Sequence, residues 1–335
     1  LIITDKMFTT KGQMFFPYYD PVGNPNEPQP SVLPEFFGDF ILVNGKTWPY
    51  LEVEPREYRF RLLNGCDSRF LDLQVVQEAD PSANMHLYQI GTDQGLLNKP
   101  VRISHLLLAP AQRADIVIDF SHHQNQTLIV TNTANAPFPG GDPVDPLSTG
   151  LVMSFKVTEK LNKNKPLSHL PRALRETPIK HLKPTARARK VLLFEGTDGF
   201  GRILPLLGTP RIGALHWDAP ITEDPILGST EIWEIYNTTE DAHPIHLHSG
   251  NFQILDRQYF TGTLNPDSGV LTDIALLEKP IPPLPAEKGL FDTVIVPPKS
   301  GGPTEAIGQR TRIIMKFTLP GRYVWHCHIL SHEDH

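Results

Sequence analysis

Cysteine is scarce: Cys66 and Cys327 are the only two in 335 residues. That rules out a disulfide framework as the main source of stability. Long apolar runs are missing as well, and no segment approaches the ~20 residues that a membrane-spanning helix needs. Positive charge is not in excess, since 31 Lys and Arg face 37 Asp and Glu for a net charge of −6. Nucleic acid is therefore not an expected partner. The five methionines, at 7, 14, 85, 153 and 315, form no methionine-rich insert. Neither an initiator methionine nor a signal peptide is visible. The chain opens on LIITDKMF, already strand-like, so the expectation is that processing or truncation removed what came before.

What the chain has in plenty is proline, 33 residues, and glycine, 24. Between these breakers lie short β-like runs: FILVNGKTWPYLEV (40–53), YRFRLLNG (58–65), FLDLQVVQ (70–77), ADIVIDF (114–120) and TLIVTNT (127–133). The pattern resumes with VLLFEG (191–196), TEIWEIYN (230–237), NFQILDR (251–257), FDTVIVPP (291–298), TRIIMKFTL (311–319) and RYVWHCHI (322–329). Asn44-Gly45 between two apolar stretches predicts a tight hairpin. Regular spacing of this kind predicts an all-β fold, with two Greek-key sandwich or barrel domains in tandem. The first domain is expected over 1–157 and the second over 191–335.

Between them, residues 156–190 carry 11 Lys and Arg against two acids, a local charge of +9. This stretch, 158–190 in the domain plan, reads as a solvated basic linker lying across acidic domains. LPRALRE (170–176) has the composition of a short helix. IPPLPAEKG (281–289) reads as a surface loop, and the Asn125 and Asn237 glycosylation patterns carry no weight without a secretory context.

The chemistry lies in two histidine clusters. On a strand, side chains alternate between faces, so in YVWHCHI His326 and His328 point one way and Cys327 the other. His332 follows five residues later, far enough for the chain to bend back to the cysteine's face. In DAHPIHLHSG, His246 and His248 share a face, and His243 precedes them across a proline. Sorting by face gives two sets. Cys327, His332 and His243 form a His₂Cys set of the blue-copper type; His246, His248, His326 and His328 form an all-imidazole set beside it. Structural zinc is the competing reading, but its closed spacing, such as C-x₂-C, is missing. The lone histidines 86, 105, 122, 123, 169, 181 and 216 read as surface or satisfied core residues. Asp292 reads as a satisfied core aspartate.

HPIHLH (243–248) and HCHILSH (326–332) resemble the last two copper motifs of the multicopper oxidases. ILVNGKTWPYLEVEPREYRFRLLNG (41–65), LLLAPAQRADIVIDF (106–120), GSTEIWEI (228–235) and PPLPAEKG extend the resemblance to bacterial spore-coat laccases along nearly the whole chain. The branch also holds bilirubin oxidases and phenoxazinone synthases. The resemblance implies cupredoxin-like domains and the following ligands. His243, Cys327 and His332 match type 1 copper ligands, His246 a type 2 ligand, and His248, His326 and His328 type 3 ligands. Glu333 matches an acid that feeds protons to the oxygen site. The implied activity is oxidation of phenols, aromatic amines or bilirubin-type pigments, coupled to reduction of dioxygen to water. Dioxygen and a small aromatic reductant are the implied partners, and an extracytoplasmic or spore-coat location is the implied setting.

Two departures from the family qualify this. Its trinuclear site takes four H-x-H pairs, two from a first domain, whereas only 246/248 and 326/328 occur here. Its axial type 1 ligand falls ten residues after the cysteine, beyond His335. The chain is thus expected to be domains two and three of a three-domain parent that binds four coppers. A missing N-terminal cupredoxin domain is the expected partner, and type 1 copper the ion expected to be retained. A ferroxidase-type metal oxidase, an electron-transfer cupredoxin and a non-catalytic copper-binding fragment are the alternatives.

Overall fold

The computed structural model describes residues 1–17 and 33–333. Among them every regular element is a β-strand except two single 3₁₀ turns, Pro285–Glu287 and Leu330–His332. None is a helix long and apolar enough to cross a membrane. The chain divides into two compact units.

The first unit comprises Leu1–Phe16 and Phe37–Ile179. One of its sheets contains strands Ile2–Phe8, Glu57–Asn64, Leu87–Thr92 and Arg113–Asp119. The other contains Leu71–Gln77, Thr127–Asn132 and Leu151–Lys156. Inward side chains from both sheets, among them Ile41, Leu62, Leu73, Ile116, Leu128 and Phe155, form a single core. The hairpin at Asn44-Gly45 is present. Both residues have positive φ, 50° and 79°, and Val43 pairs with Lys46 across the turn. This is the twist that Asn-Gly supplies at least steric cost.

The second unit spans the described part of Lys180–His335 together with that of Pro17–Phe36. A seven-stranded sheet includes Arg189–Thr197, Thr230–Asn237, Gly308–Lys316 and the 13-residue strand Phe252–Leu264. A three-stranded sheet places the histidine strand His243–Leu247 between Thr293–Val296 and the cysteine strand Trp325–Cys327. The two sheets share a core in which Ile245, Leu247, Val294, Val296 and Cys327 meet Val191, Leu193, Ile235 and Ile313. Leu192, Phe194, Tyr236 and Phe260 form a separate core. The strand Arg189–Thr197 is therefore buried on both faces, which explains its unbroken apolar run VLLF.

Gly308 illustrates how tightly these strands fit. A Cβ there would sit 2.0 Å from the carbonyl oxygen of Asn237 and 2.7 Å from the Phe260 ring. Gly308→Ala is expected to cost about 1–3 kcal/mol in urea unfolding, the usual penalty of overpacking.

The segment read as a basic linker is irregular but anchored. Leu174 N–H donates to Asn98 O, and Ile179 N–H donates to Asn98 Oδ1. Further along, Thr185 N–H donates to Thr230 O, and Gln253 Nε2 donates to Lys180 O. The unit division falls inside it, at Ile179 and Lys180. The helix expected at LPRALRE does not form, because Leu174 and Arg175 instead hydrogen-bond to the edge strand Gly95–Ile103. A single turn of propensity loses to these contacts.

Candidate metal centre

The histidine and cysteine strands pair antiparallel, with Ile245 opposite Cys327 and His246 opposite His326. Alternation does the rest. Cys327 and Ile245 point into the core, while His246 and His326 point out of the other face. The regular strand is shorter than RYVWHCHI suggested, but pairing continues through His328 N–H to Pro244 O and His248 N–H to Val324 O.

On the core side, the Leu330–His332 turn swings His332 back towards the sulfur. His243 Nδ1 lies 3.6 Å and His332 Nδ1 3.7 Å from Cys327 Sγ. All three side chains are buried. Burial pushes the Cys327 thiol far above its ordinary range, and holds His243 down at about 4. Ile329 N–H points at the sulfur from 3.5 Å. A thiolate in such surroundings needs a cation beside it.

On the outer side, His246, His248 and His326 bring their ring nitrogens within 4.8 Å of one another. His328 lies 5.1 Å from His326, centroid to centroid. Oxygen acceptors fix the tautomers. His246 Nδ1–H donates to Asp292 O at 2.8 Å, and His326 Nδ1–H to Cys327 O at 2.9 Å. Glu333 Oε1 is 3.1 Å from His328 Nδ1 and 3.3 Å from His326 Nδ1. Carbonyl oxygens only accept, so these rings present bare Nε2 atoms. Yet His326 Nε2 faces His248 Nε2 at only 3.1 Å. A lone pair so placed calls for a proton or a metal ion. Burial, followed by the neighbouring His326, lowers His328 to about 4. Burial and the neighbouring imidazoles also lower His248. Both rings are thus neutral and free to ligate near neutral pH.

The structure therefore brings all seven predicted His and Cys residues into two adjoining groups, with Glu333 exposed at the rim of the outer one. Asp292 does more than satisfy the core. Besides accepting a hydrogen bond from Thr293 Oγ1, it holds His246 through its carbonyl. Sequence reasoning missed Thr239, whose hydroxyl is 2.7 Å from His243 Nε2, and Glu195, 3.5 Å from the same atom. Burial, then Asp241 and Glu240, raises the Glu195 carboxyl to about 7. Neither residue sits in a recognisable ligand motif. A cavity of about 540 Å³ opens on the core-side group, lined in part by Trp217, Ile221, Leu319 and Tyr323, and is of a size that takes a small organic molecule.

One soft sulfur with two imidazoles, beside a cluster of bare imidazole nitrogens, is a donor set that suits copper. The comparison with known proteins agrees. Residues 216–335 match the family described as multicopper oxidase. The matched segment takes in both histidine motifs, 243–248 and 326–332. Similarity to members of the family runs through the whole chain. It is 39% identical over 336 residues to a laccase of Bacillus subtilis and 32% identical over 357 residues to the multicopper oxidase LPR2 of Arabidopsis thaliana. These matches cover all of this chain but 60% and 57% of the relatives. Among solved structures, the McoA multicopper oxidase of Aquifex aeolicus superposes with a TM-score of 0.68 at 29% identity, over 99% of this chain and 62% of that one. The chain thus spans about three fifths of the length of the multicopper oxidases it matches.

Proposed function

We propose that this chain is the copper-bearing part of a laccase-like multicopper oxidase, which couples one-electron oxidation of phenols, aromatic amines or bilirubin-type pigments to reduction of dioxygen to water. The supporting observation is that three consecutive residues, His326, Cys327 and His328, serve two metal sets on opposite faces of one strand. In this reading, His243, Cys327 and His332 hold type 1 copper. His246 serves a type 2 site, and His248, His326 and His328 serve type 3 sites. When bound, copper supplies the one-electron exchange that connects an organic reductant to a four-electron acceptor.

The protein's own part is to hold and connect. The main chain of Cys327 joins the two sets covalently, and the hydrogen bond from His326 Nδ1–H to Cys327 O adds a second route. The cavity beside the core-side set admits an aromatic reductant while the ligands themselves stay buried. Glu333, in contact with two outer imidazoles, is placed to pass protons to that side. His248 is exposed, and in this reading the further H-x-H pairs that complete the outer set come from a first domain of the parent protein. An electron carrier has no use for such an outer set, which disfavours that alternative. The carboxyls of Glu195, Glu240 and Asp241 near His243 favour one variant, with Fe²⁺ as the reductant.

Copper titration of the chain, with oxygen uptake measured in parallel, tests the reading. One tightly held Cu²⁺ with an intense visible band, and negligible oxygen uptake on a phenolic dye, is expected. A parent carrying two more H-x-H pairs is expected to consume oxygen, and assays with dye and with Fe²⁺ distinguish the reductants. Four coppers and full turnover from these 335 residues would overturn the divided site, and preferential uptake of Zn²⁺ without any visible band would overturn the copper reading.

A further inference from the structure

A ligand imidazole is useful only if the nitrogen facing the metal set is bare, and nothing in the ligand motif makes His243 choose. We propose that Thr239 is a positioning residue whose hydroxyl keeps the ring hydrogen of His243 on Nε2 and thereby aims a bare Nδ1 at the sulfur of Cys327. The metal consequences rest on the copper reading above; the tautomer is a property of the chain without metal.

Asn237 is the last residue of the strand Thr230–Asn237. Its amide is oriented without ambiguity, because Nδ2 donates to two carbonyls, Asp241 O at 2.8 Å and Val296 O at 3.0 Å. Oδ1 must then face Thr239, where it accepts from the backbone N–H at 2.8 Å and from the hydroxyl at 2.8 Å. With its hydrogen drawn to Asn237 Oδ1, or to Asp241 O at 3.1 Å, both of which only accept, Thr239 Oγ1 offers a lone pair to His243 Nε2 at 2.7 Å. Glu195 Oε1 lies 3.5 Å from the same nitrogen. The reverse arrangement, with the hydroxyl donating to Nε2, would leave Asn237 Oδ1 with the Thr239 N–H alone and turn an N–H towards the sulfur. Asn237, Thr239 and His243 are all buried, at 0%, 5% and 3% exposure, so water is a poor substitute for any lost partner. The outer imidazoles are set the other way, with Nδ1 committed and Nε2 bare. The two metal sets thus use opposite tautomers, and Thr239 makes the choice on the core side. Asn237, fully buried with both amide hydrogens engaged, is accordingly a scaffold residue and not a glycan acceptor.

Histidine-labelled chain without metal gives the first readout, by long-range ¹H–¹⁵N correlation. Wild type is expected to show His243 protonated at Nε2, Thr239→Val to show a mixture or the other tautomer, and Thr239→Ser to restore the original. Titration with Cu²⁺ gives the second. Thr239→Val is expected to bind about 10–100-fold more weakly, as the loss of an outer partner of a ligand histidine does, with a shifted visible band, and Ser is expected to recover both. An Nδ1–H tautomer in wild type overturns the inference, and that measurement stands even where the Val variant does not fold. So does a folded Val variant with unchanged tautomer and affinity. If the expected tautomers appear but wild type takes up no copper with a visible band, the positioning role stands and the oxidase reading falls.

Discussion

Cys327→Ser is expected to abolish the visible copper band and to remove the mononuclear ion at copper concentrations that saturate wild type. The sulfur is the one soft donor of its set, flanked by His243 and His332 Nδ1 at 3.6 and 3.7 Å. A hydroxyl in its place is a poor ligand for copper and stays protonated. Losing a direct ligand should weaken binding by more than the ~100-fold that outer partners already command. Folding should survive. Serine is slightly smaller, and a buried hydroxyl costs about 1–3 kcal/mol when poorly paired. Circular dichroism and urea unfolding check that the variant is folded, and copper titration followed in the visible checks the site. A Ser variant with an undiminished band would place the chromophore elsewhere and remove the basis of the His₂Cys assignment.

The largest effect on stability is expected from Arg310→Ala. Arg310 is only 4% exposed, and it binds Glu234 Oε1 at 3.1 Å and Gln258 Oε1 at 2.7 Å. Glu234 also accepts from Tyr236 Oη at 3.1 Å, and burial, then Glu234, pushes the Tyr236 phenol up to about 12. These residues come from three neighbouring strands, Thr230–Asn237, Phe252–Leu264 and Gly308–Lys316, whose register places Arg310 beside both Tyr236 and Gln258. Deleting the guanidinium leaves the buried carboxylate of Glu234 without its counter-charge, at a cost of about 3–5 kcal/mol. Replacing both charges, as Glu234→Gln with Arg310→Met, should recover much of this loss, since well-packed neutral pairs often match buried ion pairs. Urea midpoints of the single and double variants measure both. Equal destabilisation in the two would mean that packing, not charge, dominates there.

Much of the candidate centre's geometry was legible because strand alternation is a strict rule. Once YVWHCHI is a strand, its thiol and imidazoles must part, and the structure separates Cys327 from His326 in that way. His332 was harder, since only a turn returns it, and that 3₁₀ turn has no marked sequence signal beyond its spacing. Thr239 and Glu195 were not legible at all. Thr239 lies only four residues before His243 but carries no ligand signature, whereas Glu195 reaches the ring from a strand more than 40 residues upstream, a proximity that exists only after folding. Asn44-Gly45 set its hairpin through local geometry, whereas LPRALRE lost its predicted helix to hydrogen bonds with a distant strand. Local rules held where they faced no competition.

The pairing of Ile245 with Cys327 carries a consequence for assembly. A slip of one residue between these strands would turn the thiol outward and drive imidazoles into the apolar interior. In the copper reading, a bound ion would act as a proofreader that rewards one alignment and not its neighbours. Chain matured with copper should accordingly contain fewer misaligned molecules than chain folded without it.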